Sequence, residues 1–394
     1  MILHLPLFCV FYDYNFRKGK ANRFVFVDGY MKTELGSLTS IKTGKLDANA
    51  SSENGIYPFF TCAVEPLKID SYSYDCECVL VAGNGDLNVK YYNGKFDAYQ
   101  RTYIIESKDK SKLTVPYLYY FLESYIETLR SQSIGGIIKY IKIGNLTNAS
   151  IPILSIEKQN KIVKTLDKAK SIITHLRTQL EKLDLLVKAR FVEMFGDVIN
   201  NTKRWKIYLF SEITISRLGK MLDKKSQTGK SKLPYLANFN VQWFQFKLDN
   251  LNMMDFNEKE QIEFSLEDDD LLVCEGGEIG RCAIWHNEIT PCYFQKALHR
   301  VRCNKSIIIP IYLAWWFKFN CDNNGFSEIE EAKATIAHLP GAKLKKLPIA
   351  VPPLTLQNQF ADFVKQVDKS KSILQQELDK AQMLFDSLMQ EYFG

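Results

Sequence analysis

The chain repeats itself, and that limits its fold more than any other property. It closes on EYFG at residues 391–394 and carries EMFG at 193–196, 198 positions earlier. At the same offset of 198, QLEK (179–182) lies over ELDK (377–380), and QNKI (159–162) over QNQF (357–360). Towards the N-terminus the offset drifts. YQRTYIIES (99–107) lies over FQKALHRVR (294–302), and Tyr117-Leu118 over Tyr312-Leu313, at an offset of 195. LVAGNG (80–85) lies over LVCEGG (272–277) at 192, and Gly44-Lys45 is a further candidate match to Gly219-Lys220. The order is kept and the drift has one sign, as loop insertions would produce. The chain therefore reads as a tandem duplication of a unit of nearly 200 residues. That period is too long for a solenoid, so each unit is a domain with an attachment.

The attachments carry the clearest periodicity. Alternating steps of four and three from Ile162 give Leu166, Ala169, Ile173, Leu176, Leu180, Leu183, Val187, Arg190 and Met194, nine of the ten being apolar. The matching set is Phe360, Val364, Val367, Lys371, Leu374, Leu378, Ala381, Phe385, Leu388 and Tyr392, again nine of ten. Sustained over more than four heptads with charges between, this spacing marks a coiled-coil seam. Pro152 and Pro352-Pro353 lie just before the two segments, and Gly196 and Gly394 suit their C-terminal stops. Packing of each helix on its own domain is the competing reading, but it calls for a wider apolar face. Pairing of the two helices fits better, and the order domain, helix, domain, helix makes them antiparallel about a pseudo-two-fold axis. Residues 162–194 number 33, which gives a helix of about 50 Å. That exceeds one turn of B-DNA, about 34–36 Å.

The expected fold is α+β, with two similar strand-rich domains of mixed α/β character at 32–154 and 197–350. Helices at 155–196 and 351–394 follow them, and residues 1–31 form an N-terminal extension of unassigned role. CVLVAGNGD reads as a buried strand entering a Gly-rich turn, and RTYIIES as another strand. Asn93-Gly94 in VKYYNGKFDAY signals a hairpin turn. VPYLYYFLESYIETLR opens on Pro116 with helical spacing, and the second half repeats the pattern with DLLVCEGGEIGRCAIW, YFQKALHRVR and IPIYLAWWFKF. The apolar stretch MILHLPLFCVFYDYNF is too short to span a bilayer and lacks signal-peptide features. The nine cysteines include no CxxC pair and read as reduced cytosolic thiols rather than zinc ligands.

Catalytic motifs are sparse. KTGK and TGKS lack the upstream glycine of a phosphate loop, GGEIG reads as a hairpin turn, and neither HExxH nor an NPPY-type methyltransferase motif occurs. Asp322 with Glu331-Ala332-Lys333 loosely suggests a nuclease. A net charge of +6 permits a polyanionic partner without demanding one. Residues suited to nucleic acid recur at matching places. In the first half they are Asn84, Lys90, Tyr91, Tyr92, Lys95, Tyr99, Gln100 and Arg101. In the second they are Asn238, Asn240, Glu278, Arg281, Gln295, Lys296, His299, Arg300 and Arg302. Lys and Arg neutralise phosphates, while Asn, Gln, Arg and Glu read base edges. A solvated polar face beside an aromatic core would show many of the same residues.

In combination, YPFFTC, LVAGNG, VKYYNGKFDAYQRTY, LLVCEGGEIGR, YFQKALHRVR and AHLPGAKLKKLPIAVPPLTLQNQF, with the two helices ending in FG, resemble the specificity (S) subunits of type I restriction–modification enzymes. The resemblance covers about residues 32–394. It implies two target-recognition domains, each reading half of a bipartite double-stranded DNA site, separated by two long antiparallel helices. It also implies two modification (M) subunits that bind S-adenosylmethionine, restriction (R) subunits joined through them, and a cytoplasmic, non-membrane location. No cofactor, metal or catalytic residue is expected in this chain itself. DNA contact carries over to the loops above only in general, and residues 1–31 depart from the family's usual short start. A nuclease built on Asp322 and Glu331, or a two-headed protein-binding scaffold, are the other readings the residues allow.

Overall fold

The computed structural model describes residues 32–222, 229–327 and 338–394. The chain forms two compact units, Met1–Ala169 with Leu384–Gly394, and Lys170–Met383.

Unit 1 begins with β1 (Lys32–Glu34), α1 (Leu35–Leu38) and β2 (Thr39–Thr43), then β3 (Tyr57–Phe60) and β4 (Leu67–Ile69). The long strands β5 (Tyr74–Ala82) and β6 (Val89–Ala98) follow, then β7 (Thr102–Ser107). Helices α2 (Val115–Ser124), α3 (Ile126–Gln132) and α4 (Ile143–Thr147) precede β8 (Ser150–Pro152) and the 40-residue α5 (Ile156–Phe195). Six strands form one sheet in the order β2-β7-β5-β6-β3-β4, and β1 pairs with β8. The helix predicted to open on Pro116 does so with proline in its first turn, where the missing N–H costs nothing. Asn93-Gly94 is not a turn, contrary to the sequence expectation. β6 runs straight through it, with Asn93 opposite Glu77 and Gly94 opposite Cys76. Gly94 takes φ +140°, so the glycine relieves a distorted strand. The reversal lies earlier, in the Gly83–Asn88 segment between β5 and β6.

Unit 2 repeats the scheme with β9 (Lys206–Leu209), α6 (Phe210–Ile213), β10 (Thr214–Leu218), β11 (Lys232–Leu236), β12 (Val241–Gln242), β13 (Gln245–Phe246) and β14 (Asn252–Asp255). Then come α7 (Glu258–Phe264), β15 (Leu271–Cys274), β16 (Cys282–Ile284), β17 (Tyr293–Phe294), β18 (Leu298–Cys303) and α8 (Pro310–Asp322). The last elements are α9 (Gly341–Leu344), β19 (Pro348–Val351) and the 40-residue α10 (Leu354–Phe393). Its sheets run β10-β18-β15-β16 and β14-β11-β17, with β9 paired to β19. These are the pairings of unit 1, except that β16 and β17 share the work of the single strand β6 and that β12 and β13 form an added antiparallel pair. β3 runs parallel to the end of β6 at Asp97–Ala98, as β11 does to β17.

Smaller details repeat as well. Gly44 and Gly219 each donate to a strand carbonyl, Thr102 or Leu298, at 3.0 Å. A Cβ on either would lie 2.1 Å from the Ala98 oxygen or 2.3 Å from the Gln295 oxygen, so both positions require glycine. Gln159 and Gln357 are fully buried, and each side chain bonds three backbone groups, tying the start of α5 or α10 to the loop before α2 or α8. That contact accounts for the repeated glutamine.

Each unit also contains part of both long helices, running antiparallel. In unit 2, Lys371 meets Asp184 at 2.5 Å and Arg177 reaches Gln382 at 3.3 Å. Ile173, Leu176, Val187, Phe360, Val364 and Val367 are buried there, while Leu180, Leu183, Leu374 and Leu378 are half-buried. A two-helix seam covers only one face of each partner, which explains the partial burial. Off the seam, Ile172, Leu185, Leu186, Val192, Ile373 and Met383 are exposed. The two polar seam positions are accounted for, since Arg190 lies over the Phe363 ring at 5.8 Å and Lys371 pairs with Asp184. In unit 1, Ile162, Leu166 and Ala169 are buried, and Phe385, Leu388, Met389, Tyr392 and Phe393 pack on its core.

The repeated FG ending has a packing cause. Phe195 sits 4.9 Å from Tyr312 in unit 2, and Phe393 sits 5.2 Å from Tyr117 in unit 1. Gly196, at φ +72°, is the left-handed cap after the first helix. No helix among the described residues is long and apolar enough to cross a membrane.

Candidate nucleic-acid interface

Ten of the seventeen candidate residues, five in each unit, gather about one topological place, the turn leaving β5 or β15. In unit 1 the Gly83 N–H donates to the Arg101 carbonyl at 2.8 Å. Asn88 Nδ2 donates to the Cys62 carbonyl at 2.8 Å, and Cys62 Sγ lies 3.6 Å from the Arg101 oxygen. Lys90 bonds Asn88 Oδ1, and burial lowers the pKa of its ammonium. Gln100 reaches Asp47 at 2.7 Å, and the Tyr99 N–H donates to Phe60 O at 2.9 Å. Asn84, Lys90, Tyr99, Gln100 and Arg101 thus share one edge, with Gln100 and Arg101 exposed.

Three expected neighbours lie elsewhere. Tyr91 is on the α2 side of β6, 6.3 Å from Tyr119, and donates to Glu77 at 2.9 Å. Burial and that carboxylate push its phenol up to about 12. Tyr92 faces the other way and packs on Phe60 at 5.0 Å. Lys95 stands further along β6, over the Tyr72 ring at 4.7 Å.

In unit 2 the segment between β15 and β16 carries a continuous polar chain. Trp243 Nε1 donates to Glu278 at 2.6 Å, and Glu278 lies 3.6 Å from Arg281. Arg281 donates to Asn238 Oδ1 at 3.2 Å and to its carbonyl at 3.1 Å, while Asn238 Nδ2 donates to Gly276 O at 2.9 Å. This hydrogen bonding fixes the orientation of each side chain before any ligand arrives. Gln295 and exposed Lys296 lie beside Lys220, whose carbonyl accepts the Lys296 N–H at 2.7 Å. The structural match is Tyr99 with Gln295, because the bridges are Leu46–Tyr99 and Lys220–Gln295. The offset there is 196, one residue from the sequence alignment.

Four residues are corrected to scaffold roles. Asn240 is buried and closes its own turn, accepting from Ala237 N at 2.9 Å and donating to Lys247 O at 2.8 Å. His299 is 1% exposed, with Nε2 at 3.2 Å from the Leu339 carbonyl. Arg300 donates to Ser265 O at 2.6 Å and Glu263 O at 3.1 Å. Arg302 is held by Asp270 at 2.7 Å, and that bond raises its pKa. Residue type alone could not separate these from surface readers: Arg300 and Arg302 flank buried Val301 on β18, His299 is buried on the same strand, and Asn240 lies in the turn before β12.

A segment with no residue among the candidate contacts joins each turn. Asn84 bridges to Tyr140, and Gly276 to His338, in the same antiparallel sense. In unit 1 this brings Lys139 to the site through a 2.9 Å bond from Gly85 N–H. The available signal was IGGIIKYIK, a Gly-Gly between apolar residues with two lysines.

The nuclease alternative loses its aspartate. Lys188 and Lys318 grip Asp322 at 2.8 and 2.6 Å. Burial would raise its pKa, but the two lysines win and hold it below the ordinary range. Glu331, Ala332 and Lys333 lie outside the described residues, as does the 1–31 extension. Asp268, Asp269 and His286 approach one another at the surface, where Lys305 occupies Asp269 at 2.5 Å.

The sequence profile of the type I restriction modification DNA specificity domain matches residues 28–184 and 202–383. The chain belongs to the type I restriction–modification specificity family. It is 37% identical over 175 residues to the type I restriction enzyme EcoDI specificity subunit of Escherichia coli, covering 44% of this chain and 39% of that protein's length. A putative type I restriction enzyme specificity subunit of Haemophilus influenzae is 22% identical over 309 residues, 75% of this chain and 76% of that one. The fold is that of the type I restriction–modification S subunit from M. genitalium, with TM-score 0.60 at 18% identity over 95% of this chain and 98% of that one. A chain from a type I system solved for complex assembly and conformational transition gives TM-score 0.56 at 14% identity, covering 93% and 98%. The family supplies recognition subunits, not catalytic ones.

Proposed function

We propose that this chain is the non-catalytic subunit that gives a type I restriction–modification complex its DNA sequence specificity. Each recognition domain reads one half of a bipartite site, and the paired helices set the unread gap. The carrying observation is the same polar turn at the end of the central strands of both units, one built on Asn84 and Arg101 and the other on Asn238, Glu278 and Arg281. These side chains belong to the classes that pair with base edges and phosphates.

The helices also dock two modification subunits, which supply S-adenosylmethionine, and restriction subunits join through them in the cytoplasm. In support, the exposed pair Leu185-Leu186 recurs as exposed Met383-Leu384 at an offset of 198, so the duplication supplies two like apolar patches. The scaffold reading without DNA leaves the polar turns unexplained.

Methylation mapping of host DNA with and without this chain tests the proposal. The expected result is a methylated motif of two short sequences with a fixed gap, present only with the chain. A contiguous motif, or none, would overturn it.

A further inference from the structure

We propose that Ile137 is an apolar wedge that enters duplex DNA at a base step of the half-site read by unit 1. The inference rests on the DNA-reading function proposed above.

Ile137 is 104% exposed and its neighbour Ile138 is 62% exposed. Such side chains normally sit on loose tips, but this loop is held. Ile134 and Tyr140 exchange backbone hydrogen bonds of 3.0 and 2.8 Å, closing a small hairpin. Gly135 makes the turn at φ +116°, where a Cβ would stand 2.5 Å from the Ile138 oxygen. Three more bonds pin the loop to the candidate interface. Gly85 N–H reaches Lys139 O at 2.9 Å, Ile141 N–H reaches Gly83 O at 2.9 Å, and Tyr103 donates to Ile141 O at 3.1 Å. An isoleucine braced in this way contributes nothing to the fold and is already ordered for a partner.

Charge and position name that partner. Lys139 and Lys142 are exposed beside the isoleucines, and the loop is bonded to the turn that presents Asn84. Aliphatic side chains flanked by cations insert between base steps and unstack them, gaining apolar burial while the lysines meet phosphates.

The test uses the full chain assembled with its modification subunits and a duplex carrying the mapped site, with 2-aminopurine placed in turn at each step. The wild type should brighten the probe at one step of one half-site. Ile137→Ser should abolish the brightening and weaken binding about ten- to a hundredfold, the loss of burying one aliphatic side chain. Ile137→Met, which keeps an apolar tip, should retain both. Unchanged brightening and affinity in Ile137→Ser would overturn the wedge, as would loss of the modification subunits from that variant, which would make the loop a protein contact. Sequence-selective wild-type binding with no brightened step removes the wedge alone. Binding without sequence preference removes the DNA-reading function as well.

Discussion

Replacing Gln357 by Leu should destabilise unit 2 severely while leaving its shape intact. Gln357 is 0% exposed in the first turn of α10. Its Oε1 accepts from Ile309 N–H at 3.0 Å, and its Nε2 donates to Ile307 O at 2.9 Å and Pro352 O at 2.8 Å. Leucine fills the space but deprives one amide and two carbonyls of their partner. Each orphaned group costs about 1–3 kcal/mol. The loops supplying them can relax towards water, so the sum is about 3–6 kcal/mol, a large share of the ~5–15 kcal/mol that holds a domain together. With a urea dependence of about 2–3 kcal/mol per molar, the midpoint falls by about 1–3 M. The assay is selective, because all five tryptophans (Trp205, Trp243, Trp285, Trp315 and Trp316) lie in unit 2 and report its unfolding by fluorescence. Gln159→Leu breaks the equivalent bonds in unit 1, which holds no tryptophan, so it should move that signal less. A Gln357→Leu midpoint within about 0.3 M of wild type at equal slope would refute the reasoning, since the three bonds would then add nothing net.

Phe393→Ala removes the ring that packs 5.2 Å from Tyr117 and 6.2 Å from Phe121, and should cost unit 1 about 2–3 kcal/mol. Proteolysis within residues 32–169 should accelerate accordingly, and unchanged protection would count against the contact. His299 should give unit 2 a pH dependence. Burial lowers its pKa despite the Leu339 bond, which pulls the other way. The unfolded chain, with an ordinary value of about 6.5, therefore binds more protons below that pH. Stability is present in full above about 6.5 and declines as pH falls towards the lower folded value. The tryptophan-reported midpoint should drop as the pH falls below about 6.5, and His299→Gln should flatten the slope.

The framework was largely legible because it is periodic and duplicated. The seam could be placed on named residues because a two-helix contact writes its spacing directly into the chain. Arg190 and Lys371 broke the pattern only in composition, since their long stems let each charge leave the seam. The Asn93-Gly94 signal failed because turn chemistry is local, whereas β6 is held by eight cross-strand pairs to β5 that override it. The interface was half legible. Side-chain type drew in Tyr91, Tyr92, Arg300 and Arg302, but which face of a strand is covered depends on what packs above it. For Tyr91 that is α2, and for Arg300 it is the carbonyls of Glu263 and Ser265. The Ile134–Tyr140 loop escaped notice because its importance comes from its bonds to a turn some 50 residues away in sequence.

The two units share their supports and differ at their tips, and under the proposed function that difference has a consequence. Tyr117 and Tyr312 donate to matching carbonyls, Pro152 at 3.0 Å and Ala350 at 2.5 Å. Gln159 and Gln357 tie matching loops, and Thr39 and Thr214 bond the residue four before them at 2.7 Å. At the turns the backbone bridges match but the side chains do not. Unit 1 presents Asn84, Asn88, Lys90 and Arg101, while unit 2 presents Asn238, Trp243, Glu278 and Arg281. An amide offers a donor beside an acceptor, a carboxylate only accepts and a guanidinium only donates, so the two turns complement different base edges. The two half-sites should therefore be unrelated in sequence rather than an inverted repeat. If the mapped motif were palindromic, the groups at these turns could not be what sets the specificity, because unlike turns on like supports would then be reading the same bases.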